Sequence, residues 1–245
     1  MSIPRFYCPN ILAPGAIVSL PPHAAAHAGK SLRLKAGDAA VLFNGDGNDY
    51  LCEFVSFNKN AVSAKVHEVR SNQSESPLKI TLAQAISSGD RMDFTLQKAV
   101  ELGISAIQPI ASQRSVVKLS GERAEKRRLH WQNVVISACE QSGRSVVPQV
   151  APPLSLSDWL SGIQPFSLRL TMSPIATQTL HDLAAPSGEI CLLVGCEGGL
   201  TEGEIQMASN TGFTAVRMGA RILRTETAPL AALSAMQTLW GDFGE

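Results

Sequence analysis

The chain has 245 residues, room for one large domain or two modest ones, and 44% of them are hydrophobic, enough for a sizeable core. Lys+Arg and Asp+Glu each number 21, so the net charge is zero, which argues against a uniformly basic nucleic-acid binder. The five cysteines are odd in number and lack CxxC or Cys/His ligand spacing, the N-terminus lacks an apolar signal core and no apolar run reaches membrane-spanning length, so the expectation is a cytoplasmic protein with free thiols, no metal and no membrane segment.

Residues 1–72 read as a small β-rich domain. Arg5, Phe6 and Tyr7 lie in a proline-broken opening segment, and residues 23–35 predict a short helix leading into Leu32, Arg33 and Leu34. Lys35 to Asp38 form a turn, and residues 39–43 a strand. Residues 44–48, Asn-Gly-Asp-Gly-Asn, predict a hairpin turn. Residues 50–57 alternate as a second strand, 58–60 turn again, and 61–69 give a third, a meander that suits a small barrel.

Polar residues 71–77 read as a linker, after which residues 73–245 form a second domain. Residues 79–85 are its first strand. Asp90 and Asp93 resemble an N-cap pair for an amphipathic helix over 91–102, with Met92, Leu96, Ala99 and Val100 near helical spacing. Lys98 and Glu101 on that helix read as a salt bridge, worth roughly 0.2–0.5 kcal/mol. Gly103 ends the helix and 104–110 begin the next strand, a βαβ rhythm that signals a parallel sheet. Arg114, Lys118, Arg123, Lys126, Arg127 and Arg128 face only Glu122 and Glu125, a patch that suits phosphates or is a solvated helix face. A second helix covers 122–141 with a glycine stop at Gly143, Trp159 packs, and 168–171 is a strand.

Two blocks near the C-terminus carry the chemistry. Residues 190–194 are a continuous apolar run, read as a strand buried on both faces. Gly195, Gly198 and Gly199 follow, and Thr201 with Glu204 makes a capping box. Strand, glycine turn, helix start is where ligands bind in an α/β sheet, although the spacing is neither a P-loop nor GxGxxG. Residues 216–218 then read as a short strand; Arg221, Arg224, Thr225, Glu226 and Thr227 crowd together before an apolar helix over 230–240. Polar residues packed between two buried elements line a site.

The runs VGCEGGLTEGE (194–204) and MGARILRTETA (218–228) resemble the RsmE family, the 16S rRNA (uracil-N3)-methyltransferases of the SPOUT superfamily. GDRMD (89–93), QKAVELG (97–103) and ACEQSGR (138–144) echo it as well, so the likeness runs along nearly the whole chain. The family pattern has proline where this chain has Cys196. The resemblance implies an α/β SPOUT-type parallel-sheet domain with a C-terminal deep trefoil knot, preceded by a small PUA-like β-barrel that binds RNA. It implies S-adenosyl-L-methionine as cofactor, held by loops carrying Thr171, Met172, Val194, Gly195, Glu197, Gly199, Met218, Gly219, Ile222, Leu223, Thr227 and Ala228. It also implies a homodimer acting on N3 of a uridine in 16S rRNA of the small ribosomal subunit. Arg5, Arg33, Arg91, Arg144 and Arg221 are the expected RNA contacts, with Arg144 equally suited to a dimer interface.

For the reaction, Arg224 is the expected stabiliser of the developing uridinate or of a nearby phosphate, and Glu197 or Glu226 the proton acceptor. Glu226 is equally placed to hold Arg224. The alternatives are a related methyltransferase acting on ribose 2′-O or guanine, and a non-catalytic RNA-binding assembly factor.

Overall fold

A computed structural model describes residues 3–58, 61–117 and 120–244. The chain divides into two compact units, Met1–Glu75 with Cys139–Val147, and Ser76–Ala138 with Pro148–Glu245.

The first unit is built on five strands: β1 (Arg5–Tyr7), β2 (Ile17–Ser19), β3 (Ala39–Phe43), β4 (Asn48–Asn58) and β5 (Ala61–Ser71), in the order β1-β3-β4-β5-β2. Strands β3, β4 and β5 form the expected antiparallel meander. The opening segment, rather than being broken, adds β1 parallel to β3, and β2 closes on β5. Residues predicted as one short helix split into an α-helix, α1 (Pro22–Ala26), and a π-helical turn at His27–Ser31. Arg33 follows at φ 57°, the left-handed region that costs a non-glycine residue energy. The third predicted turn falls on Lys59 and Asn60, outside the described residues. The core gathers Phe6, Leu42, Phe54, Ala64 and Val66, with Phe6 and Phe54 in edge-to-face contact at 6.0 Å.

The second unit is a parallel sheet of β6 (Ile80–Ala85), β7 (Ala106–Ala111), β8 (Gln149–Val150), β9 (Leu154–Ser155), β10 (Leu168–Met172), β11 (Ile190–Val194) and β12 (Thr214–Val216). Its order is β12-β10-β11-β6-β7-β8, with β9 also on β7. The chain first builds outward from β6 through β7, then returns to place β11 on the other side of β6. That reversal is where α/β sheets open a crevice at the carboxyl ends of their strands. Every residue of β11 is buried, as its unbroken apolar run requires.

Helix α2 (Arg91–Glu101) buries Met92, Thr95, Leu96, Ala99 and Val100, the i, i+3, i+4, i+7, i+8 stripe of a helix lying on a sheet. Asp90 occupies the N-cap position but makes no capping hydrogen bond, because its backbone is helical there; the predicted Asp90–Asp93 cap does not form. Asp93 instead shares a hydrogen bond with His130 Nε2 at 2.6 Å. Lys98 and Glu101 do pair, at 2.8 Å. Helix α3 (Gly121–Ser142) follows, then α4 (Leu156–Ser161), α5 (Glu202–Asn210) and α6 (Thr227–Trp240). Trp159 packs on Phe213 at 5.9 Å. Helix α6 is fastened by Gln237, which is fully buried: its Nε2 donates to Leu102 O (2.9 Å) and its Oε1 accepts from Ser76 Oγ (2.8 Å). Gly103, at φ 83°, leaves the room for this: a Cβ there would lie 2.8 Å from Gln237 Nε2.

Candidate functional site

The loops after β10, β11 and β12 converge on a cavity of about 550 Å³. Met172, Ser173, Pro174 and Ile175 come from the first loop, residues 194–200 from the second, and Met218, Gly219 and residues 221–226 from the third.

The glycine turn is closed by Gly199 N–H donating to Cys196 O at 2.8 Å. Gly199 needs its φ of 68°, and Gly195 has no room for a side chain: a Cβ would lie 2.8 Å from the Gly199 carbonyl carbon and 2.9 Å from Leu200 N. Cys196, standing where the family pattern has proline, is buried, with Ser112 Oγ at 3.6 Å from its sulfur. The turn is therefore held by its own hydrogen bond and by packing. Thr201 and Glu204 form the predicted capping box. Glu204, 1% exposed, also reaches outside its helix, where its Oε1 accepts the Gln113 N–H at 2.8 Å. This fixes the loop after β7, and the next residue, Arg114, donates to Gly198 O at 2.6 Å. Arg114 lines the cavity and was visible in the sequence only as part of a basic patch.

The loop leading into α6 is anchored by Thr225, a buried residue whose Oγ1 donates to Gly195 O (2.9 Å) and accepts from Ser87 Oγ (3.1 Å). Gln84 Nε2, at the end of β6, lies 3.4 Å from the same carbonyl. The strand expected at 216–218 lies instead at Thr214–Val216, and Arg217 N–H donates to Gln178 O at 3.0 Å.

Of the residues expected to act, Arg224, Glu226 and Glu197 all line the cavity. Among the described residues Arg224 has no ion-pair partner; Glu226 faces Arg91 instead, Oε2 to Nε at 3.9 Å. Glu226 Oε2 is buried and, among the described residues, accepts no hydrogen bond. Glu197 Oε1 takes three donors: Ser88 N–H (2.8 Å), Ser88 Oγ (2.7 Å) and Arg91 Nη1 (3.1 Å). Burial pushes its carboxyl up, but these bonds, led by the Ser88 hydroxyl, outweigh that and hold it below the ordinary carboxylate range.

Of the expected cofactor residues, Met172, Val194, Gly195, Glu197, Gly199, Met218, Gly219, Ile222, Leu223 and Ala228 line the cavity. Thr171 lies just behind it, at the end of β10, 2% exposed and with its hydroxyl unpartnered among the described residues. Thr227 starts α6 and is outside the lining.

The expected RNA contacts separate. Arg91 and Arg221 line the cavity, and Arg33 is exposed on the first unit. Arg5 and Arg144 are internal. Arg5 pairs with both oxygens of Asp49 (2.8 and 2.9 Å), donates to Ser145 Oγ (2.7 Å) and lies over the Phe43 ring. Arg144 is 3% exposed and doubly bonded to Glu75, at 3.0 and 2.6 Å. Guanidiniums so enclosed hold the first unit together and leave no face for a phosphate. Among the described residues no helix is long and apolar enough to cross a membrane, and no cluster of three or more His, Cys, Asp or Glu is poised for a metal.

The RNA methyltransferase domain family matches residues 74–237, and the RNA methyltransferase PUA domain family matches residues 20–66. The ribosomal RNA small subunit methyltransferase E of Buchnera aphidicola subsp. Schizaphis graminum is 34% identical over 98% of both chains, and that of Bacillus subtilis is 36% identical over 84% of this chain and 83% of its own. The structure of the Neisseria gonorrhoeae ribosomal RNA small subunit methyltransferase E bound to S-adenosyl methionine is 48% identical, with a TM-score of 0.93 over 99% of this chain and 100% of the other. A Legionella pneumophila structure holding the cofactor SAM is 37% identical, with a TM-score of 0.96 over the same shares.

Proposed function

The chain belongs to the ribosomal RNA small subunit methyltransferase E (RsmE) family, and on that premise we propose that it methylates N3 of a uridine in 16S rRNA of the small ribosomal subunit, with S-adenosyl-L-methionine as methyl donor. The observation that carries this reading is the three-loop cavity with Arg224 on its wall, an arginine without an ion-pair partner among the described residues.

The residues present fit the cofactor. Apolar side chains of Met172, Val194, Leu200, Met218, Ile222 and Leu223 suit an adenine and a thioether chain. Gly195 and Gly199 keep the turn free of side chains, so that a ligand can approach its backbone. The cofactor supplies a methyl group on a sulfonium, an activated leaving group. The protein's part is positional and electrostatic. The walls hold the uracil edge in line with the methyl, a contribution of up to roughly 7–11 kcal/mol when alignment is good. Arg224 is a cation ready to meet the negative charge that grows on uracil as N3 loses its proton. A carboxylate in the wall receives that proton.

In this reading residues 1–72 are the RNA-binding part and 73–245 the catalytic part. Arg33 and the cavity arginine Arg221 meet RNA, and the target uridine is presented unpaired or flipped. Family membership also supports a knotted C-terminal segment, a homodimer and a cytoplasmic location. The test combines the protein, labelled S-adenosylmethionine and small ribosomal subunits from cells lacking the enzyme, followed by digestion and nucleoside mass spectrometry. We expect 3-methyluridine; label on a ribose or a guanine, or no transfer, would sink the reading.

A further inference from the structure

Three carboxylates line the cavity, and their surroundings differ. Glu202 is exposed in the first turn of α5, where a negative charge complements the helix N-terminus. Glu197 has one oxygen saturated by three donors. Glu226 Oε2 is the exception, a buried carboxylate oxygen with no hydrogen-bond donor among the described residues. Among the described residues neither Glu226 oxygen accepts a hydrogen bond although the side chain lines the cavity, so the carboxylate's accepting capacity is left for a donor that arrives with the substrate. Arg91 connects the two pockets of charge. Its Nη1 bonds Glu197 Oε1 and Ser88 Oγ, both at 3.1 Å, while its Nε faces Glu226 Oε2 at 3.9 Å. That last distance is an ion pair and too long for a hydrogen bond.

We propose that Glu226 is the residue that takes the imide proton from N3, and that Arg91, held by Glu197 and Ser88, is a positioning residue that aims Glu226. This rests on the uridine-N3 reading. The N3–H bond breaks with its electron pair left on nitrogen, and the proton passes to the Glu226 carboxylate and later to solvent. N3 bonds the methyl carbon as the methyl–sulfur bond breaks, its pair remaining on sulfur. Glu197 is thereby an anchor for Arg91 and not the base. The charged groups around Glu226 are Arg91 from the start of α2, Arg221 and Arg224 from its own loop, Glu197 from the glycine turn, Arg114 from the loop after β7 and Glu202 from α5.

The experiment compares wild type, Glu226→Gln, Glu197→Gln, Arg91→Met and Arg91→Lys by single-turnover methyl transfer to small subunits across pH, with cofactor affinity measured by calorimetry. Glu226→Gln should lower the rate about 10²–10⁴-fold at neutral pH with cofactor affinity within about twofold. Its deficit should shrink about tenfold per pH unit on the alkaline side, as uridine ionises unaided. Arg91→Met should lower the rate with cofactor affinity within about twofold, because the cation that aims Glu226 is gone, and Arg91→Lys should restore most of the rate. Glu197→Gln should give a smaller loss than Glu226→Gln. A Glu226→Gln rate within about threefold of wild type, a deficit equal at every pH, or an Arg91→Met loss that Arg91→Lys does not repair would overturn the assignment while leaving a 3-methyluridine product intact. A wild-type product on ribose or guanine would overturn both this assignment and the reading beneath it.

Discussion

Replacing Gly195 by alanine tests how tightly the glycine turn is packed. The backbone angle at this position is one any residue adopts, so the constraint is space. The added Cβ would meet three backbone atoms, the carbonyl carbon and Cα of Gly199 at 2.8 and 2.9 Å and Leu200 N at 2.9 Å. Backbone cannot swing aside as a side-chain tip can, so residues 199 and 200 must retreat by about half an ångström to reach ordinary contact. The same shift loads the 2.9 Å bond from Thr225 Oγ1 to Gly195 O, which anchors the loop before α6. Overpacking of this kind costs about 1–3 kcal/mol. For a domain this size that lowers Tm by roughly 2–12 °C. Because the displaced atoms form the cavity wall, cofactor affinity should fall at least about tenfold, equivalent to about 1.4 kcal/mol. The assays are calorimetric titration with S-adenosylmethionine and thermal unfolding. Gly203→Ala is the control: in α5 its Cβ meets nothing within 4 Å, so binding should be unchanged and stability should rise by up to about 1 kcal/mol. A Gly195→Ala protein that melts and binds like wild type would refute the packing argument.

The other predictions concern neighbouring atoms. Gly199→Val has open space around its Cβ, so its penalty is strain at φ 68°, about 1–3 kcal/mol; calorimetry should show cofactor binding lost, and normal binding would count against the turn as the cradle. Arg224→Ala should lower turnover by about 10²–10³-fold with cofactor affinity unchanged, and unchanged turnover would remove Arg224 from catalysis. Glu197 has a carboxyl held below its unfolded value, so its contribution to stability is present above that unfolded value and is lost as pH falls through the folded one. The stability gap between wild type and Glu197→Gln, followed by denaturant titration, should be full near neutral pH and close on acidification below about pH 4; a gap that widens in acid would contradict the hydrogen-bond account. Cys139 and Cys191, whose thiols burial pushes up to about 12, should resist alkylation in the native protein at pH 8 and react on unfolding.

Local chemistry made much of this legible. The apolar run at 190–194, the Thr201–Glu204 box and the stripe on α2 each write their structure into adjacent residues, and each is present as expected. What depends on distant partners did not show. Nothing near Arg5 in sequence indicates Asp49 or Ser145, so a charge that reads as an RNA contact turns out to be spent on the fold of the first unit. Nor does the sequence indicate that residues 139–147 pack with the first unit, although the Arg144–Glu75 pair depends on it. Asp90 shows the limit of motif reading from another side. The residue type is right for a cap, but the turn through Gly89, at φ 57°, delivers Asp90 in helical geometry, from which its side chain makes no cap.

The same reasoning explains why Glu226 and Glu197 could not be told apart in the sequence. Both are glutamates beside glycines or arginines in matched motifs, and both end at one cavity. Their difference lies in which backbone reaches them. The turn at 87–90 brings the Ser88 N–H and hydroxyl onto Glu197, and the helix that starts at Arg91 brings the guanidinium to both carboxylates. Thr225, one residue before Glu226, is tied to Gly195 O and Ser87 Oγ, so the loop that carries Glu226 is registered against the turn that carries Glu197. A hydroxyl has one proton and two lone pairs; here the proton goes to the carbonyl and a lone pair to the serine. Thr225→Val would take the 2.9 Å donor from the Gly195 carbonyl, leaving it only Gln84 Nε2 at 3.4 Å, and loosen that registration while keeping every charged group in the site. The spacing of the two glutamates is thus set by uncharged atoms of the cavity wall together with the Arg91 guanidinium that bridges them.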